Sequence, residues 1–161
     1  MNTPPAGPPH QYLQQPATVT CYILPAQDKR RIVQIGQSKD VLVVEDDREI
    51  NELVGAYVQI AGFEYRSALD GASALAEARQ CRPSLIVLDL MLPDTDGFEV
   101  CRKLKSENAT AHIPIVMLTA LSDEEHQRKG RECGAADYIT KPFDPDVLMA
   151  AIKDNATGNG H

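Results

Sequence analysis

One repeating pattern constrains this chain more than any other feature. From Val41 onward, short apolar runs of about five residues alternate with stretches of about ten to fourteen whose apolar residues recur at helical spacing. The runs are Val41 to Val44, Phe63 to Ser67, Leu85 to Leu88, Ile115 to Leu118 and Tyr138 to Thr140. Between the first two, Ile50, Leu53, Val54, Tyr57, Val58 and Ala61 mark one helical face; Ala72, Leu75, Ala76 and Ala78 mark the next, and Val100 and Leu104 a third. Punctuation agrees with this division. Ser122-Asp123-Glu124-Glu125 reads as a capping box, Asp144-Pro145 as an N-cap followed by a first-turn proline, and Gly62 and Gly134 stand where helices should stop. Five strands alternating with five helices predict a doubly wound α/β fold, a parallel sheet with helices on both faces. The first, third and fourth runs are apolar throughout, as central strands covered on both faces require. The second interleaves Glu64 and Arg66 with Phe63 and Tyr65, which suits an edge.

The remainder of the chain reads differently. Six of the eleven prolines fall within the first 25 residues. Met1 to Gln15 is polar and proline-rich, too poor in apolar surface to offset the entropy of ordering, and disorder is expected there. Thr18 to Leu24 and Arg31 to Ile35 are β-branched runs that suit a hairpin. The division is therefore an extension over 1–39, a domain over 40–155 and a flexible tail over 156–161, which suits a total length of 161 residues. The 16 basic and 23 acidic residues leave a net charge of -7. Residues 1–40 hold four of the basic and two of the acidic ones, so the acidity belongs to the regular part. On this balance no direct nucleic-acid binding is expected, because phosphate contacts need a basic face. No run approaches the roughly 18 apolar residues of a membrane span, and no apolar signal core opens the chain. The four scattered cysteines read as reduced thiols, and the expected location is cytoplasmic.

In doubly wound sheets, ligands bind beyond the C-terminal ends of the strands. Here those ends are chemically loaded. The first strand runs into Glu45-Asp46-Asp47, the third into Asp89, the fourth ends at Thr119 and the fifth runs into Lys141. Each alone has an ordinary explanation, and Asp47 in particular reads as a helix N-cap. Together they bring three carboxylates to one pocket, where mutual repulsion calls for a cation. An all-oxygen set with few protein ligands suits Mg2+. A carboxylate beside such a metal is a nucleophile for phosphorus, and a nearby hydroxyl and ammonium would stabilise phosphoryl oxygens. The chemistry points to an aspartyl phosphate.

The same residues carry a resemblance. VLVVEDD at 41–47, LIVLDLMLPDTDG at 85–97, IVMLTA at 115–120 and DYITKPF at 137–143 resemble the receiver domain of two-component response regulators, in order and near the usual spacing, with 30 residues from Asp89 to Thr119 and 22 from Thr119 to Lys141. The resemblance implies a flavodoxin-like, CheY-like sheet of strand order 2-1-3-4-5. It implies Asp89 as phosphoacceptor, with Thr119 and Lys141 completing the catalytic set. It implies Mg2+ held by Asp46 and Asp89 directly, by Glu45 mainly through water, and by the backbone carbonyl of Met91. Amides near Leu90 and Ala120 would assist. Thr119 and Tyr138 would form the switch, with Tyr138 turning inward as Thr119 moves toward the phosphate, and Lys141-Pro142 matches the family's cis peptide. The implied partners are a sensor histidine kinase or histidine phosphotransfer protein upstream, and a downstream protein or a second copy of the chain on the fourth helix, fifth strand and fifth helix. On this reading the chain is a signalling switch rather than a metabolic enzyme, and only about six residues follow the last helix. Apolar Met91 and Leu121 beside the site suggest slow loss of the phosphoryl group. A haloacid-dehalogenase-type phosphatase would want an aspartate where Met91 stands.

Overall fold

A computed structural model describes residues 39–158. The expected disorder and hairpin within 1–38, and the last three residues of the tail, lie outside the described residues. The five strands are β1 (Asp40–Val44), β2 (Glu64–Ala68), β3 (Leu85–Leu88), β4 (Ile115–Thr119) and β5 (Asp137–Thr140). They alternate with α1 (Arg48–Ile60), α2 (Gly71–Cys81), α3 (Gly97–Ser106), α4 (Glu124–Glu132) and α5 (Pro145–Ala156). All strands pair parallel in the order β2-β1-β3-β4-β5, as expected.

The apolar runs Val41–Val44 of β1, Leu85–Leu88 of β3 and Ile115–Leu118 of β4 have a simple cause. Successive side chains of a strand point to opposite faces, and each face feeds its own core. Leu42, Val44, Ile86, Leu88, Ile115 and Met117 pack with Ala74 and Ala78 of α2 and Val100, Cys101 and Leu104 of α3. Val41, Val43, Leu85, Val87, Val116 and Leu118 pack on the other side with Val54 and Val58 of α1 and Leu148 and Ile152 of α5. At the edge, Arg66 of β2 pairs with Asp40 of β1 at 2.6 Å, so the polar alternation of β2 has a partner across the ladder.

Helix ends follow local chemistry with two small departures. Asp47 caps α1, accepting from the Glu49 and Ile50 amides, and Asp144 caps α5 with Pro145 in its first turn. Gly62 and Gly134 take the left-handed conformation, with φ of 96° and 92°. α4, however, is capped by Asp123, whose Oδ1 accepts from the His126 amide at 3.0 Å, and not by Ser122. Ala156, expected in the tail, is the last residue of α5 and is buried. Among the described residues no disulfide forms, and no helix is long and apolar enough to cross a membrane.

Candidate functional site at the strand ends

Parallel pairing places the chemically loaded residues side by side. β1 and β3 are in register through Val44 and Leu88, so Glu45 and Asp89 emerge together, and the Asp89 amide donates to the Val44 carbonyl at 2.9 Å. β4 and β5 are in register through Thr119 and Thr140, and the Lys141 amide donates to the Thr119 carbonyl at 2.8 Å. The result is a cluster in which carboxylate oxygens of Glu45, Asp46 and Asp89 all lie within 4.8 Å of one another. Glu45 and Asp89 are buried and Asp46 faces solvent.

Among the described residues, Lys141 pairs with two of these three acids. Lys141 Nζ donates to Asp89 Oδ2 at 3.1 Å and to Glu45 Oε2. Burial alone would lower the lysine; its hydrogen bond to Glu45 and the charge of Asp89 outweigh that and hold it above the ordinary value. Burial pushes the Glu45 carboxyl up to about 7, with Lys141 opposing and the charge of Asp89 adding to the rise. The pocket therefore carries more negative charge than it neutralises. Its donors are all oxygen, as a hard divalent cation prefers.

The remaining expected residues are close by, each with its own contacts. The amide that reaches the Asp89 carboxylate is that of Met91, at 3.3 Å to Oδ1, while the Met91 side chain is exposed. Thr119 is fully buried, and its hydroxyl accepts from the Leu121 amide at 3.4 Å. Tyr138 is half-buried, its hydroxyl donating to the Leu121 carbonyl at 2.6 Å. Burial raises the Tyr138 phenol, and the charges of Asp123 and Asp89 act in the same direction. The Lys141–Pro142 peptide is cis.

Several supporting residues carry no signal that sequence reasoning used. Asp94 accepts from the Gly71 and Ala72 amides at 2.8 and 3.0 Å, tying the loop after β3 to the start of α2. Gly97 lies against that same loop: a Cβ there would stand 2.5 Å from the Asp89 carbonyl oxygen, so no side chain fits. Gly130 of α4 gives the Tyr138 ring its seat. Asn51 is an almost fully buried amide bonded to the end of β1.

Comparison with known proteins agrees with this fold. A family model described as a response regulator receiver domain matches residues 41–153. The transcriptional regulatory protein GltR of Pseudomonas aeruginosa is 47% identical over 115 residues, covering 71% of this chain and 48% of that protein. The DNA-binding dual master transcriptional regulator RpaA of Synechocystis is 43% identical over 113 residues, covering 70% of this chain and 47% of that protein. Among solved structures, the Vibrio cholerae chemotaxis protein CheY4 superposes with a TM-score of 0.69 at 32% identity, covering 73% of this chain and 98% of that one. The chain spans about half the length of the curated relatives it matches. These relatives correct one expectation. The acidic balance predicts no direct nucleic-acid binding, yet RpaA is a DNA-binding regulator by name and GltR a transcriptional one. The net charge of one domain does not report on the partners of a longer protein in which such a domain is one part, and the relatives are about twice the length of the matched segment.

Proposed function

The chain belongs to the response regulator receiver family, and from that premise we propose that it is a phosphorylation-driven switch with Asp89 as phosphoacceptor. The observation that carries this reading is the meeting of Asp89 with two further carboxylates and the Lys141 ammonium at adjoining strand ends. The donor is a phosphohistidine on a sensor kinase or phosphotransfer protein. An Asp89 carboxylate oxygen attacks the phosphorus in line. The phosphorus–nitrogen bond breaks, its electron pair leaves with the imidazole, and Asp89 becomes an acyl phosphate. Lys141, already hydrogen-bonded to Asp89, takes up charge on the phosphoryl oxygens, and the Thr119 hydroxyl and the Met91 amide add donors.

Glu45, Asp46, Asp89 and the Met91 carbonyl are the groups that would hold Mg2+. When bound, the ion supplies the positive charge that lets an anionic carboxylate approach an anionic phosphoryl group. The excess of negative charge in the pocket and its all-oxygen donors fit that ion. Thr119 and Tyr138 then pass the change to the α4, β5 and α5 face by biasing a two-state equilibrium. The names of the relatives support transcription as the output governed by such a switch. Met91 and Leu121 offer no group to position an attacking water, and slow loss of the phosphoryl group follows. Intact-mass measurement of the full chain with acetyl phosphate and Mg2+ tests the reading. A gain of one phosphate is expected in the wild type and none in Asp89→Asn; undiminished labelling of that variant would reject the assignment.

A further inference from the structure

The geometry points to Asn51 as a positioning residue that sets the affinity of the acidic cluster for Mg2+, an inference that rests on the metal reading above. Asn51 lies at the start of α1 and is only 1% exposed. Asparagine is a weak helix former, and a buried amide is costly unless every polar atom is engaged. Here every one is. Nδ2 donates to the Glu45 carbonyl at 2.9 Å and the Ala68 carbonyl at 3.1 Å, with the Val43 carbonyl at 3.4 Å, and Oδ1 accepts from the Tyr65 hydroxyl. Three carbonyls on one side fix which end of the amide faces them. Aspartate would set oxygen against oxygen there, and an apolar residue would leave those carbonyls without this donor.

The bonded carbonyls stand where the β1–β2 ladder runs out, since Val44–Ala68 is its last pair. Asn51 continues the stitching past that end. The Glu45 amide also donates to the Ala68 carbonyl at 3.1 Å, so Glu45 is held by both its backbone groups. Asp47 is held in turn as the cap of α1. Asp46 thus sits between two pinned residues, beside carboxylates that repel it. Without the pin, repulsion among Glu45, Asp46 and Asp89 would spread the loop, and binding the ion would have to regather it. With the pin, the cost of gathering is met in folding and the site is preorganised. The support extends one helical turn further along α1. At Gly55 a Cβ would fall 2.6 Å from the Tyr65 ring, so glycine leaves the room through which Tyr65 reaches Asn51.

Calorimetric Mg2+ titration of the full-length wild type, N51A, Y65F and D46N, with thermal unfolding of each in EDTA, tests this. Outer partners of metal ligands are worth about 10- to 100-fold in affinity, so Kd is expected to rise about tenfold or more in N51A. Y65F keeps the ring and removes only the bond that orients the amide, and a smaller rise of about threefold is expected by the same argument. A lower melting temperature in EDTA with Mg2+ Kd within about twofold of wild type in both variants makes Asn51 merely structural and overturns the inference. If N51A does not fold, Y65F decides alone: an unchanged Kd overturns the inference and a raised one supports it. Wild type that binds no Mg2+, or D46N that binds as wild type does, overturns the metal reading itself and the Asn51 role with it.

Discussion

Replacing Gly130 with alanine sets two opposed effects against each other, and the structure decides the sign. In a helix interior the exchange gains about 1 kcal/mol of helix propensity. The added Cβ, however, would stand 2.9 Å from Cδ2 of Tyr138 and 3.2 Å from the Met117 sulfur. Methionine yields easily. The tyrosine ring does not, because its hydroxyl is held by the Leu121 carbonyl at 2.6 Å. Overpacking costs about 1–3 kcal/mol, and a ring that pivots away forfeits a hydrogen bond of about 1 kcal/mol. Set against the helix gain, the net expectation is a loss of about 1–3 kcal/mol in the wild-type background. In a Tyr138→Ala background the ring and its bond are gone. There the same glycine replacement should stabilise by about 1 kcal/mol. Urea unfolding of the four proteins of this cycle, followed by far-UV circular dichroism because the chain has no tryptophan, gives both values. Equal stabilisation by Gly130→Ala in the two backgrounds would refute the claim that this glycine exists to seat the tyrosine.

The acidic pocket has a pH signature in EDTA. Glu45 titrates near 7 when folded against 4.5 unfolded. The folded state therefore binds more protons between those values, and stability falls as pH rises from about 4.5 through about 7, by up to about 3 kcal/mol at 1.36 kcal/mol per pH unit. Denaturant titrations across that range should show a slope that Glu45→Gln lacks; equal slopes would remove the cause. Lys141→Met leaves the carboxylates without their internal cation, and at pH 8 in EDTA it should cost about 3 kcal/mol or more. Much of that loss should return on adding Mg2+, and a variant as stable as wild type without metal would contradict the pairing. Leu104→Ala, at a fully buried position of α3, should cost about 2–5 kcal/mol in the same assay without changing Mg2+ affinity.

How much of this was legible in the sequence depends on where the information sits. The strands could be read because β1, β3 and β4 each feed two cores and so carry unbroken apolar runs at Val41–Val44, Leu85–Leu88 and Ile115–Leu118. Arg66 and Glu64 marked β2 as an edge for the complementary reason. Asp47 was recognisable as a cap because capping is a local property of a short polar side chain before an apolar run. Locality also explains the slip at α4. Ser122 and Asp123 are equally good caps by type, and only the 3.0 Å bond from the His126 amide to Asp123 decides between them.

The acids of the site could be read because side-chain chemistry announces itself, and a parallel sheet with ordered crossovers carries strand ends to one place. What holds those acids in position announces nothing. The partners of Asn51 are the main-chain carbonyls of residues 43, 45 and 68, which every sequence possesses. Gly130 and Gly55 work through the absence of a Cβ beside rings that arrive from β5 and β2. A buried asparagine in a helix and two helical glycines look like local defects until the fold supplies their neighbours. Each of the three disfavours the helix that contains it, so each must be repaid by a contact made elsewhere. In this domain those contacts lead to the acidic loop and to Tyr138. Residues that weaken their own helix are therefore the ones to substitute first when function is to be separated from fold.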